Sequence, residues 1–427
     1  RYDKEKLKKK RGREMKKETA VRDSIYDKYQ KLQESGEEFE KQASRNKRSS
    51  ALLMIVFILL SLSIANMFSV SLGLRNDQLG LVKKHSLMIF IGLFLCFLLS
   101  KFSYKNFQRP LMRKLLYFVP PIIFIGMMIA PSGLVPIRNG AKAWIQLGGF
   151  AIQPAELFKV SYIILLSNVL AKLEQEKHIK DYKLILSIGI FVFLPYVIFI
   201  HLQNDLGAII HYALITGYLF VLSNISIKII RLWSLLGSVA MISAFSIIYK
   251  IGAEHLSGYK LKRIYSFLEG LFTGNYSPEF GYQVKQALIG FGSGGFLGKG
   301  FANGIQRYSY VPETATDFIS VTFGEEFGFL GMFILLSFYL ILYWIICTIS
   351  KECQDSFGKY LSAGIGGYLI IQVFINIGVA IGILPVFGLT LPLFSNGGSS
   401  IFAILSALGI CLNINKTSHL FEKKKKK

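Results

Sequence analysis

Charge is scarce in this chain, and acid is scarcer still. Of its 427 residues only 18% are charged, against about 25% in an average soluble domain. The 26 Asp+Glu face 49 Lys+Arg, a net charge of +23. A basic balance of that size suggests nucleic acid until its distribution is examined. Cysteine is also sparse: Cys96, Cys347, Cys353 and Cys411 form no CxxC and no metal-ligand spacing, which removes zinc modules and dithiol redox motifs. They read as small hydrophobes inside helices. No apolar run precedes Ala51, so no cleavable signal peptide is visible, and Arg1 in place of an initiator Met suggests a chain that starts part-way. What is abundant is apolar: 52% hydrophobic residues and a mean hydropathy of +0.44, which argue against a soluble fold of this length.

The charges are unevenly placed. Residues 1–48 carry 27 of the 75 charged side chains, so the rest is an apolar body with basic residues between long uncharged runs. A membrane-spanning helix needs about 20 mainly apolar residues. Ten segments qualify: 51–70, 86–103, 115–131, 155–172, 183–202, 206–223, 231–251, 318–349, 359–384 and 398–415. The fifth and sixth are separated by little more than Gln203, Asn204 and Asp205, which predicts a tight helical hairpin. Short cytoplasmic loops concentrate Lys and Arg. Loop 102–114 holds Lys105, Arg109, Arg113 and Lys114, loop 173–182 holds Lys177 and Lys180, Lys228 and Lys351 follow on the same side, and the chain closes with Lys423 to Lys427. The opposite loops are poorer in Lys and Arg; loop 71–85 has Arg75, Lys83 and Lys84. The expected fold class is therefore all-α and polytopic, with both termini cytoplasmic and the segment 252–317 on the outer face. The domain reading is a charged cytoplasmic arm (1–50), a ten-helix membrane domain (51–415) and a Lys-rich tail (416–427), with the lysines at an anionic inner leaflet. The basic balance then reports membrane lipids and topology, not nucleic acid.

Charges inside a bilayer are costly and usually face a cavity or the bundle interior. Glu156 and Lys159 lie three apart in Gln153-Pro154-Ala155-Glu156-Leu157-Phe158-Lys159, hence on one helical face, with Pro154 suited to the first turn. A structural ion pair and a place in a substrate cavity both fit them. Asp205 suits an N-cap as well as a site. In Val311-Pro312-Glu313-Thr314-Ala315-Thr316-Asp317-Phe318 a carboxylate stands at the outer mouth of a long apolar helix, and capping and proton abstraction from a substrate hydroxyl are both open. Further in, at least one of Glu325 and Glu326 must find a partner or a proton. The outer segment supplies Lys260, Lys262, Arg263, Lys285, Lys299 and Arg307; Arg can grip a diphosphate, while most of the six read as side chains snorkelling to headgroups. Gly290-Phe291-Gly292-Ser293-Gly294-Gly295 fits a dinucleotide fingerprint formally but lacks the preceding strand. Flexible outer backbone explains those glycines better. Pro385, Pro392 and Gly397-Gly398-Ser399-Ser400 suggest an uncharged outer turn that dips into the bundle.

In order along residues 50–415, several motifs together resemble the SEDS family of bacterial shape, elongation, division and sporulation proteins. They are Asn139-Gly140-Ala141-Lys142-Ala143-Trp144-Ile145, Gln153 to Lys159, Asp205-Leu206-Gly207, Gly281-Tyr282-Gln283, Gly292 to Gly295 with Gly298-Lys299-Gly300, Pro312-Glu313 with Thr316-Asp317-Phe318-Ile319, Gly324-Glu325-Glu326, and Leu389-Thr390-Leu391-Pro392 with Gly397 to Ser400. The resemblance implies a ten-helix glycosyltransferase of the bacterial cytoplasmic membrane that polymerises lipid II into glycan strands beside a class B penicillin-binding protein. It also implies that Asp317 is the residue required for polymerisation. Leu389 to Pro392 and Gln153 to Leu157 look more like the division branch than the elongation branch, which implies septal localisation and other divisome partners. Three departures stand out: Ala315 where the family usually has His, Asn204 where it usually has Pro, and Asn396 where Tyr is common.

The resulting expectation is glycosyl transfer between lipid-tethered reactants, lipid II and a nascent strand, with Asp317 as general base. Arg263, with Lys262 behind it, would steady the departing diphosphate, and Glu156 with Lys159 would shape the cavity floor. Asp205, Glu313, Gln283 and Ser399 are further substrate-contacting candidates. No metal-ligand set is visible and no cofactor is demanded; a divalent cation that assists the transfer is the open alternative. The competing classes are a lipid II flippase, an elongation-type polymerase and a scaffold acting through the basic arm.

Overall fold

The computed structural model describes residues 2–73, 78–138, 141–148, 150–177, 188–256, 259–308 and 310–418. Asn139-Gly140 of the first family motif, Arg75, Lys180, Gly258, the first residues of the expected fifth span and the lysines 423–427 lie outside them. Two compact units are distinguished, Arg1–Ala51 and Leu52–Lys427.

Among the described residues the chain is almost wholly helical. The helices are α1 (Tyr2–Leu72), α2 (Gln78–Lys101), α3 (Pro110–Ile129), α4 (Pro154–Gln175), α5 (Leu194–Leu202, preceded by a π turn Gly189–Phe193) and α6 (Leu206–Leu222). They continue as α7 (Ile227–Ile251), α8 (Tyr259–Thr273), α9 (Tyr282–Gly294), α10 (Ile319–Glu352), α11 (Ser356–Ala380) and α12 (Gly398–Thr417). Among the described residues eight helical stretches are long and apolar enough to span a membrane, and Gly189–Leu202 and Leu206–Leu222 are shorter apolar helices. These ten match the ten segments read from the sequence, and the protein is an all-α integral membrane protein. Helices dominate because hydrocarbon offers the backbone no hydrogen-bond partner. The one sheet among the described residues is a small antiparallel hairpin, Ile145–Leu147 with Phe150–Ile152, in the 132–154 loop, which hydropathy did not foreshadow.

Local chemistry accounts for the helix ends. Pro154 occupies the first turn of α4, where its missing N–H costs nothing. Asp205 caps α6, its Oδ1 accepting from Ala208 N at 3.0 Å. Asn204 adopts φ +63°, and the bonds from Asn204 N to His201 O (2.8 Å) and Asp205 N to Ile200 O (3.2 Å) close α5 with a Schellman turn. A proline, locked near φ −65°, could not take that place, so the Asn204 departure produces a different turn from the kink the family pattern implies.

The most enclosed helices are α4, α11 and α12, while α3 and α7 lie at the periphery. Small residues permit close approach: a Cβ on Gly409 of α12 would overlap the Cys96 carbonyl of α2. The glycines expected to provide flexible outer backbone do something else. Gly290 and Gly294 lie within α9, and a Cβ at either would collide with Val321 or with the Gly324 carbonyl of α10. They are contact points of a packed helix pair. Lys299, one of the six outer-segment cations of which most read as snorkelling to headgroups, pairs with buried Glu325 at 2.7 Å. Glu325 also accepts from Gln306 N (2.8 Å) and Ser293 Oγ (3.2 Å), and Ser69 of α1 donates to Glu326. Both acids of Gly324-Glu325-Glu326 thus find partners.

Candidate active site

A cavity of about 410 Å³ opens among α4, the α5–α6 hairpin, α8, the Glu313–Asp317 turn and the 385–400 segment. Seven of the nine candidate residues line it: Asp317, Arg263, Glu156, Asp205, Glu313, Gln283 and Ser399. Two do not. Lys262 sits with its ammonium 5.8 Å from the Phe280 ring centre, on a different side of α8 from Arg263. Lys159 is fully buried beneath the cavity, paired with Glu156 and 5.5 Å from the Tyr368 ring centre. Adjacent helical positions diverge by about 100°, so a run of basic residues cannot all face one site.

The 385–400 segment dips into the bundle as its Gly/Pro composition suggested: Leu391, Leu393, Phe394 and Ser395 are each 1% exposed or less. Its buried backbone is satisfied internally. Gln372 Nε2 donates to Thr390 O at 2.9 Å, Ser395 Oγ accepts from Leu391 N at 2.7 Å, and Tyr339 OH donates to Pro392 O at 2.6 Å. Gly207 stands so close to Phe387 O that any Cβ would overlap it, which seats the α5–α6 hairpin against this segment.

The walls are cross-linked by polar groups. Gln153 donates through Nε2 to Asp205 Oδ2 at 2.7 Å, and its backbone N–H donates to Ser399 Oγ at 2.7 Å. One residue thus ties α4 to the hairpin and to the start of α12. Asp205 therefore both caps a helix and lines the cavity, so the two readings of it are compatible. Arg263 donates to Gln283 Oε1 at 2.6 Å, joining α8 to α9. Among the described residues Glu156 Oε2 has no hydrogen-bond partner, although the residue is only 4% exposed.

Asp317 does not cap α10; its carboxylate faces the cavity. Glu313 precedes it in a turn with φ +58° and accepts from Thr316 Oγ1 at 2.8 Å. Burial lifts the Asp317 carboxyl from 3.8 to about 7, Glu313 adds to the rise, Arg263 opposes it, and Glu156 and Asp205 contribute smaller increments. A carboxyl poised near neutrality beside a cation can accept a proton from a hydroxyl and remain ionised often enough to do so again.

Sequence reasoning did not single out Lys84, Arg138 or Thr316, which also line the cavity, nor Asn376 behind it. Lys84 and Arg138 were read as outer-loop charges, and only tertiary packing turns them toward the site. Gln153 was quoted within a motif without a role, and an uncharged amide leaves no signal in a hydropathy profile.

The family model described as "Cell cycle protein", covering FtsW, RodA and SpoVE, matches residues 49–420. The chain belongs to this family. It is 31% identical over 384 residues to "Probable peptidoglycan glycosyltransferase FtsW" of Trichlorobacter lovleyi, covering 85% of this chain and 92% of that protein. It is 31% identical over 373 residues to "Stage V sporulation protein E" of Bacillus subtilis, covering 86% and 96%. Among solved structures it is similar, at 26% identity and a TM-score of 0.66 over 86% of this chain and 97% of the other, to one described as "Structural coordination of polymerization and crosslinking by a peptidoglycan synthase complex". The FtsW/RodA/SpoVE membership thus spans the whole cavity and every helix that builds it.

Proposed function

We propose that this FtsW/RodA/SpoVE protein is a peptidoglycan glycosyltransferase that polymerises lipid II on the outer face of the bacterial cytoplasmic membrane, in septal wall synthesis. The observation that carries the reading is Asp317: a carboxyl raised to about 7, facing a cavity that also holds Arg263. Relatives named as peptidoglycan glycosyltransferases support the reaction class. The lysine- and arginine-rich loops on the opposite side support the outer placement.

Both reactants are anchored by lipids, so a groove that orients them lowers the entropic cost of their meeting. Asp317 takes the proton from the acceptor sugar 4-hydroxyl. That oxygen forms a bond to the donor anomeric carbon, the bond from that carbon to the diphosphate oxygen breaks, and undecaprenyl diphosphate leaves with the electron pair. Arg263 meets the negative charge developing on the diphosphate, held in place by Gln283. Glu156, through Oε2, and Asp205 offer acceptors to sugar hydroxyl or amide groups. A class B penicillin-binding protein is the proposed partner, supported by the similarity to a structure described as a polymerising and crosslinking complex.

The test follows fluorescent lipid II with the purified protein and that partner in detergent. Wild-type protein makes long glycans, and Asp317→Asn loses about 10²–10⁴-fold in rate. Undiminished polymer from the variant overturns the base assignment. Transbilayer movement of lipid II in liposomes without any polymer would make the protein a flippase instead.

A further inference from the structure

The carboxylate of Asp317 receives no hydrogen bond from the described residues, so the placement of its backbone bears directly on where it lies. That backbone is held by an unusual run of donors. Three consecutive carbonyls are each taken: Ala315 O by Asn396 N (2.8 Å), Thr316 O by Ser395 Oγ (2.6 Å) and Asp317 O by Asn376 Nδ2 (2.7 Å). Asn376 Nδ2 also donates to Leu389 O at 2.8 Å. Asn376 is 1% exposed and does not line the cavity. Its planar amide joins the Asp317 turn to the 385–397 segment, and both are held to α11.

We propose that Asn376 is a positioning residue for Asp317, fixing the main chain from which the carboxylate projects into the cavity. The proposal rests on the general-base reading of Asp317. Surrounding residues reinforce it. Gln372, one helical turn earlier on the same face, donates to Thr390 O at 2.9 Å and Ser400 Oγ at 3.2 Å, so α11 carries two amides that grip the same segment. Phe318, Val379, Ala380 and Leu389 pack together around the joint, which excludes water from these bonds. Removing the amide takes the side-chain donor from the part-buried Asp317 carbonyl and the buried Leu389 carbonyl, a penalty that favours movement of the turn. A displacement of about 1 Å at a reacting group costs about 10²-fold in rate.

Asn376 carries no charge, and the groups that bear on Asp317 are Glu313 in its own turn, Arg263 from α8, Glu156 from α4 and Asp205 from the hairpin. None is altered by changing Asn376. Relaxing the turn would let the Asp317 carboxyl swing further into the open cavity it lines, where water hydrates it more fully, and return it toward the ordinary carboxylate range. The acidic limb of the rate profile would then move to lower pH.

The experiment measures lipid II polymerisation by purified Asn376→Ala and Ser395→Ala proteins with the crosslinking partner, across pH. For Asn376→Ala we expect kcat to fall about 10- to 100-fold, KM to stay within about 2-fold, and the acidic limb to shift downward. Ser395→Ala should move both readouts in the same direction by less. A purely structural role would scale the folded fraction without moving the limb. Wild-type kcat in folded Asn376→Ala, or a lower kcat with an unmoved limb, overturns the proposal. If Asn376→Ala does not accumulate, the same two readouts on Ser395→Ala decide it. Should Asp317→Asn be inactive while both of these variants match wild type, only the positioning role fails; an active Asp317→Asn removes the base reading itself.

Discussion

The side-chain amide of Gln153 donates to the carboxylate of Asp205 at 2.7 Å, across 52 residues of chain. The same carboxylate caps α6 through Ala208 N. Asp205→Ala removes both bonds, and an N-cap contributes about 1 kcal/mol and a hydrogen bond to a charged group about 1.5–3 kcal/mol. Thermal unfolding of the purified protein should show Asp205→Ala clearly below wild type. Asp205→Asn, which keeps an acceptor for Ala208 N, should lie between them.

Asp317 supplies a test by pH. Its carboxyl is raised from 3.8 to about 7 in the fold, so the folded state binds the proton more tightly than the unfolded chain. Its contribution to stability is therefore lost as pH rises from about 4 through about 7. Asp317→Asn, which cannot ionise, should be more thermostable than wild type at pH 8, with the gap closing toward pH 5. A gap of the same size at both pH values would show that the carboxyl is not raised.

Gly207 is predicted to tolerate no side chain. A Cβ would overlap Phe387 O, and the obstructing atom belongs to backbone that is itself pinned, so relief by rotamer change is closed. Gly207→Ala should destabilise by about 1–3 kcal/mol, the usual range for overpacking, and should depress polymerisation. By contrast Gly217, with nothing within 4 Å of its Cβ position, should accept alanine with unchanged melting temperature.

The Lys299–Glu325 pair predicts a non-additive cycle. Lys299→Met leaves Glu325, 0% exposed, without its cation and should cost about 3 kcal/mol. The double substitution with Glu325→Gln should recover a large part of that loss, because the neutral amide no longer needs the ammonium. Denaturation of the three variants and the wild type measures the coupling directly.

Much of this architecture was legible in advance. The ten apolar segments match the observed spans, because backbone satisfaction in hydrocarbon leaves helices as the only economical form for such runs. Pro154 and Asp205 announced their helix starts, since capping is chemistry of a few adjacent residues. The Glu156–Lys159 pair was equally readable, a consequence of spacing along a single helix. The partner of Lys299 was not legible for the complementary reason: its acid lies 26 residues further along the chain, and nothing local announces such a pairing. The glycines of α9 were misread as loop for the same cause, because the helix that requires their smallness is α10.

The sequence by itself thus determined the solvent, the number of spans, the direction suggested by the loop charges and the one acid at a helix mouth that the family motif singles out. Only the tertiary structure decided that Arg263 reaches the cavity while Lys262 turns to Phe280, that Gln153 bridges two walls, and that Asn376 stands behind Asp317. The physical reason is range. Hydropathy, helix periodicity and capping act over a few residues and are written in local composition, whereas a polar side chain's partner is set by packing between helices distant in the chain.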